Sequence, residues 1–243
     1  MPRFSLVIPA WNEENYLPRL LDTIDIARER YSGGPEAFEV IVADNCSTDA
    51  TPDIATKRGC RVVRVEKRVI AASRNGGAAV ATGEILCFTD ADMRIHPETF
   101  NELDAVMKTG RYVAGASGVR LERLSVGLIA TWCLMIPLVV VTRMDTGVVF
   151  CRRDDFVTVG GYNEERLFAE DVDFLMRMRA RGKSLGQKLV RLRKSKAISS
   201  TRKFDKHGDW HYFTELLKLM PIMLLRPSES TDWVKKYWYE DDR

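Results

Sequence analysis

Four short apolar runs, three of them followed by residues at helical spacing, limit what this 243-residue chain can fold into. Phe4–Ile8 is the first run, and Pro9 is expected to stop it. Leu17, Leu20, Leu21 and Ile24 then recur at helical spacing until Gly33-Gly34-Pro35 breaks the pattern. Phe38–Ala43 is the second run, ending at Asp44-Asn45, after which Ser47-Thr48-Asp49 offers caps for a helix over 50–58. Arg61–Val65 is the third, ahead of an Ala- and Gly-rich helix over 71–82 whose small side chains allow close packing on a sheet. Ile85–Phe88 is the fourth. Strand and helix alternating in this order predicts an α/β fold with a Rossmann-like, mostly parallel, doubly wound sheet and right-handed crossovers.

The fourth run ends in Thr89-Asp90-Ala91-Asp92. In an extended chain, residues two apart point to the same side. Asp90 and Asp92 would then converge at the C-terminal edge of the sheet, where open α/β sheets bind their ligands. Two hard oxygen donors on one point suit Mn2+ or Mg2+, with water and phosphate filling the other positions. The same residues also fit a plain strand-to-helix turn, with an Asp capping a helix that begins near Pro97.

Lys plus Arg is 37 and Asp plus Glu is 34, so the net charge of +3 argues against a nucleic-acid partner. The basic residues gather between Lys183 and Lys206, as a patch facing phosphates or an anionic membrane, or as a solvated face. The five cysteines include no Cys-x-x-Cys pair, which points to a reducing compartment and away from a zinc site. Met1-Pro2-Arg3-Phe4 enters a strand at once without a signal-peptide layout, so a cytoplasmic location is expected. Pro9-Ala10-Trp11-Asn12-Glu13-Glu14 stands where a dinucleotide fold would place its glycine-rich turn, and no phosphate-loop signature is present. Both absences argue against a nicotinamide enzyme and a phosphate-loop hydrolase. A sugar nucleotidyltransferase, which should carry a Gly-rich basic loop after the first strand, is disfavoured too.

Six segments in order over 4–182 carry a resemblance. Val7–Glu14 and Val42–Thr51 resemble the opening motifs of the family 2 glycosyltransferases, and Ser73-Arg74-Asn75-Gly76-Gly77 through Glu84 resembles the stretch before that family's Asp-x-Asp. Thr146–Arg153 and Val159–Glu164 are similar to its acceptor-side strand and turn, and Glu170-Asp171 to its acidic pair. The resemblance implies the GT-A fold, with a nucleotide-sugar half over 1–95 and an acceptor half over 96–200, followed by a helical, apolar and aromatic tail over 201–243. It implies that Pro9, Trp11, Glu13, Asp44, Arg74, Asp90 and Arg202 meet the nucleotide-diphosphate sugar, a UDP-sugar being favoured. It further implies that Asp90 and Asp92 hold Mn2+ or Mg2+, with His207, in a loop rich in glycine and charge, as a third ligand. Asp171, beside Glu170, would be the general base for an acceptor hydroxyl, and direct attack would invert the anomeric carbon. An acidic pair at a helix N-terminus is also favoured by the helix dipole whatever its function.

Leu124–Thr142 holds 19 residues without a charge. A single membrane crossing there would separate Asp90–Asp92 from Glu170-Asp171, and Pro137 would interrupt it, so a core helix or an interfacial helix is expected. Trp210, Phe213, Leu216, Leu217, Met220, Met223 and Leu224 form a second apolar segment, with Trp233, Tyr237 and Trp238 beyond it. These residues suit peripheral contact with the cytoplasmic membrane face, packing on each other, or a homodimer. The acceptor is then a glycan, a lipid-linked sugar or a small molecule. The alternatives are a polyprenyl-phosphate sugar synthase and a catalytically silent nucleotide-sugar scaffold; Asp90, Asp92 and Asp171 argue against the second.

Overall fold

The computed structural model describes residues 1–142, 145–167, 169–211, 213–215 and 217. Strand β1 (Phe4–Ala10) leads to helix α1 (Leu17–Glu29), β2 (Phe38–Asp44) to α2 (Thr51–Lys57) and β3 (Arg61–Arg64) to α3 (Ile70–Ala79). Next come β4 (Ile85–Phe88), the two-residue β5 (Met93–Arg94), α4 (Thr99–Lys108), β6 (Tyr112–Ala116) and β7 (Val119–Leu121). The chain continues through α5 (Val126–Thr142), β8 (Val149–Arg152), α6 (Arg153–Thr158), α7 (Glu170–Ser184), β9 (Lys188–Arg191), β10 (Ala197–Ser199) and α8 (Arg202–His207).

Seven strands form one sheet in the order β3-β2-β1-β4-β8-β6-β9, and β5, β10 and β7 form a second, smaller sheet. The large sheet is parallel except for β8, which runs antiparallel to β4 and to β6. The first strand does not stop at Pro9, as expected, but runs on to Ala10. Its pairing with β4 ends at Val7–Phe88, while its pairing with β2 continues to Ala10–Asp44. Val7 O receives Thr89 N on the β4 side, so the alternate residue Pro9 also faces that side, where its missing N–H breaks no ladder.

Alternation along β1 sends Leu6 and Ile8 to one face and Val7 to the other. On the first face they meet Leu17, Leu20 and Ile24 of α1 and Phe100 and Leu103 of α4. On the second, Val7 joins Ala71 and Ala78 of α3, and the cluster continues through Phe88, Tyr162, Phe174 and Met178. The small residues of α3 are required by contact: a Cβ on Gly77 would lie 2.4 Å from Val7 Cγ1. Gly115 of β6 is less forgiving at the same distance, because its Cβ would meet the backbone oxygen of Val190 at 2.4 Å and the Phe150 ring at 2.7 Å. Gly115→Ala is expected to destabilise the fold by about 1–3 kcal/mol, since backbone cannot step aside. A shift in the urea midpoint at unchanged slope would verify this.

By contact the chain divides into two compact units, 1–120 with 143–199 and 121–142 with 200–243. The uncharged helix α5 belongs to the second unit, where Leu124, Val126 and Ile129 are exposed. Within that unit the Arg123 guanidinium grips Asp205 and Asp209, and the His207 and His211 rings stack with centroids 4.8 Å apart. No helix among the described residues is long and apolar enough to cross a membrane. The apolar and aromatic residues from 218 onward lie outside the described residues. All five cysteines are free.

Candidate active site

The loops leaving β1, β2 and β3 are knitted together by side chains that the sequence supplies for that purpose. Asn12 takes a left-handed backbone (φ 54°), which asparagine tolerates, and its N–H donates to Ser47 Oγ at 3.0 Å. Its Oδ1 receives Thr48 N at 2.9 Å. Asn45 Nδ2 donates to the carbonyls of Val65 and Lys67 at 2.7 and 2.9 Å. Asp44 is buried at the end of β2 and receives Ser47 N at 3.1 Å, the turn role that its position suggests. Glu13 is buried, with its N–H on Thr51 Oγ1 at 2.7 Å. Pro9 and Trp11 are half-buried on the rim. The Arg68 guanidinium lies 4.0 Å above the Trp11 ring, a cation–π contact across 57 positions that no sequence spacing announces.

Asp90 and Asp92 follow β4, but not in extended chain. Met93 N closes a turn onto Asp90 O at 3.1 Å, because the chain must reverse into β5, which pairs with β10. It is therefore a turn, and not strand alternation, that sets the two carboxylates at the sheet's C-terminal edge. The Asp90 side chain is 49% exposed and that of Arg74 only 4%. Arg74 Nη2 donates to Asp90 Oδ1 at 2.8 Å. Its Nη1 donates to Glu170 Oε1 at 2.7 Å and to Asp171 Oδ1 at 2.9 Å. One guanidinium thus joins carboxylates from α7 and from the β4 edge. Contact with a diphosphate would require one of these bonds to open.

Helix α7 is aimed at this point by its surroundings. Its N-cap, Ala169, sits in the left-handed region (φ 54°, ψ 33°), a strain of about 1–2 kcal/mol for a residue with a Cβ. Arg177 Nη1 ties the helix to the carbonyls of Val159 and Gly161 at 2.8 and 2.6 Å. Asn75 clasps Tyr162 through both its N–H and its carbonyl, at 2.8 and 2.9 Å. The Tyr162 ring lies 5.1 Å beneath the Arg74 guanidinium and stacks on Phe174 at 4.4 Å. Tyr162 lies inside a motif read from sequence, but its role under Arg74 is visible only in three dimensions. Burial pushes the Asp171 carboxyl up to about 7; Arg74 opposes the rise, and Glu170 and Asp90 add to it.

Among the described residues, no group of three or more His, Cys, Asp or Glu side chains is gathered for a metal. The chemistry of the donor set still fits one. Mg2+-type ions are commonly held by one or two carboxylates, with substrate phosphates and water completing the shell. Asp90 and Asp92 can supply that pair. Arg202 and His207 open and close α8 in the second unit; His207 is helical, not in a loop, because Thr201 O receives Phe204 N and begins a turn ahead of Gly208.

A family model described as Glycosyl transferase family 2 matches residues 5–124. Over that stretch the chain is similar to glycosyl transferase family 2. The fold is that of the GT-A glycosyltransferases. Validoxylamine A glucosyltransferase of Streptomyces hygroscopicus subsp. limoneus is 34% identical over 105 residues, covering 40% of this chain and 22% of that protein. S. aureus TarS 1–349, solved in complex with UDP-GlcNAc, superposes with a TM-score of 0.64 at 21% identity, over 83% of this chain and 59% of that one. Mannosyltransferase PcManGT from Pyrobaculum calidifontis, in complex with GDP-Man and Mn2+, gives 0.65 at 20% identity, over 82% and 56%. The chain therefore spans about a fifth of the curated relative and under three-fifths of the two solved structures.

Proposed function

We propose that the chain is a metal-dependent, inverting glycosyltransferase that moves a sugar from a nucleotide-diphosphate sugar to an acceptor hydroxyl. The observation that carries this reading is the meeting of Asp90 with Glu170 and Asp171 on Arg74, at the C-terminal edge of the sheet. Trp11 and Asp44 at the neighbouring strand ends suit a base and ribose, Asp44 as acceptor for a base N–H. A UDP-sugar is the favoured donor, as in the TarS complex. Asp90 and Asp92 would hold Mn2+ or Mg2+, which supplies charge neutralisation for a departing diphosphate. Asp171 takes the proton of the acceptor hydroxyl. The hydroxyl oxygen bonds to the anomeric carbon from the face opposite the diphosphate. The old C–O bond breaks, and its electron pair leaves with the nucleoside diphosphate. A carboxyl poised near neutrality suits a base at physiological pH.

Calorimetry of UDP and GDP with and without Mn2+ tests the donor side. UDP is expected to bind in the presence of Mn2+, and Asp92→Ala to weaken that binding on the order of tenfold or more. Binding that is indifferent to Mn2+ and to Asp92 would remove both carboxylates from their proposed role.

A further inference from the structure

Arg74 carries more structure than a donor ligand needs. It is 3% exposed, all three of its ion pairs are with carboxylates, and its Nε is buried without a hydrogen-bonding partner. Each carboxylate oxygen lies within 2.9 Å of one of its two terminal nitrogens. Without the guanidinium, these three acidic groups would be left around one place with no cation between them. Like charges so placed repel, and oxygen ligands converging on one point are what a divalent cation seeks.

We infer that Arg74 is a positioning residue and a built-in counter-ion, fixing the acid pair of α7 against Asp90 and keeping a divalent cation off Glu170 and Asp171. The inference rests on the reading of Asp90 and Asp92 as the metal side and Asp171 as the base. Three features fit it. The planar fork of a guanidinium holds two separate segments in one fixed geometry, which the rotating donors of an ammonium do not impose. The Tyr162 ring beneath it fixes the plane of the fork. The cation is supplied by α3, whose close packing on β1 leaves it little freedom to withdraw.

Two variants test it. Arg74→Met removes the charge while keeping bulk. Mn2+ titration of the full chain without nucleotide, followed by the paramagnetic resonance signal of the free ion, is expected to show on the order of tenfold tighter binding than wild type. Adding Glu170→Gln to that variant should cancel the gain. Arg74→Lys keeps the charge but not the fork. Its Mn2+ binding should match wild type, with kcat lower by about 100-fold and donor KM nearly unchanged. The inference is overturned if Arg74→Met binds Mn2+ as wild type does, or if Arg74→Lys turns over normally. Should Arg74→Met fail to fold, the kcat-against-KM split in Arg74→Lys decides alone. Normal turnover in Asp171→Asn would instead overturn the base assignment, leaving the Mn2+ titration as an independent measure of the guanidinium.

Discussion

Asp171→Asn is expected to lower kcat by about 100- to 10,000-fold, the usual contribution of a positioned general base, and to leave the protein more stable than wild type at pH 8. The amide is nearly the same shape and its oxygen can still accept from Arg74 Nη1, whose charge remains balanced by Glu170 and Asp90. What disappears is the burial of an ionised carboxylate. The folded-state value of about 7 lies above the ordinary 3.8, so between these two the folded protein holds a proton that the unfolded chain has released. Stability from this group therefore falls as pH rises through that window and is lowest above it. Melting wild type and Asp171→Asn side by side should show the variant gaining at most a few kcal/mol at pH 8, and nothing near pH 4. The rate should move the opposite way. For wild type, kcat/KM is expected to climb about tenfold per pH unit below 7 and then level off, as the free carboxylate becomes populated. A flat profile from pH 5 to 8, or an Asn variant with normal turnover, would sink the assignment.

Phe174→Ala should give the largest loss of stability. The ring is fully buried and stacks on Tyr162 at 4.4 Å, with Phe156 and Phe88 at 5.6 and 6.4 Å. Truncation removes the transfer energy of the ring and leaves a hole bordered by three other rings, a cost of about 3–5 kcal/mol. For a chain of this size that is a fall of roughly 10 °C in Tm. Activity should suffer beyond the stability loss, because Tyr162 is the surface on which the Arg74 fork lies. Thermal denaturation together with rates measured well below the new midpoint separates the two effects. A Tm within 2 °C of wild type, against the several degrees such a cost implies, would show that the aromatic cluster does not hold α7.

The first four strands were the legible part of the chain. They are continuous apolar runs, and Asp44, Asp90 and Asp92 stand directly behind them, so strand and edge residues could be read together. The helix after Glu170-Asp171 was legible because Phe174, Leu175 and Met178 recur at helical spacing and are buried. The sense of β8 was not, since a four-residue strand with three apolar residues looks the same in either direction. The basic stretch from Lys183 to Lys206, read as a patch or a solvated face, contains β9 and β10. Its turn is held by Glu102, which receives the N–H groups of Arg193 and Ser195 at 2.8 and 2.9 Å. That contact spans some ninety positions, and local pattern does not report it. The same is true of Arg74, whose partners on α7 lie 96 and 97 residues away. Residue type and motif place it at the site, but only tertiary structure reveals which groups share its charge.

Ser117 and Val148 are hydrogen-bonded neighbours: Ser117 N reaches Val148 O at 3.0 Å, and Val148 N reaches Ser117 Oγ at 2.9 Å. Beyond them β6 and β8 pair in unbroken register from Ala116–Val149 to Ala114–Cys151. The thirty-residue excursion between these two positions thus leaves the large sheet and re-enters it at a single gate. Lengthening a closed loop is inexpensive, about 0.6 kcal/mol for each doubling. Such a gate lets the part of the excursion beyond β7, which is tied into the smaller sheet, change in length or polarity while the strands of the large sheet keep their register. Transplanting the excursion between relatives is therefore a practical way to alter this region while the sheet stays as it is.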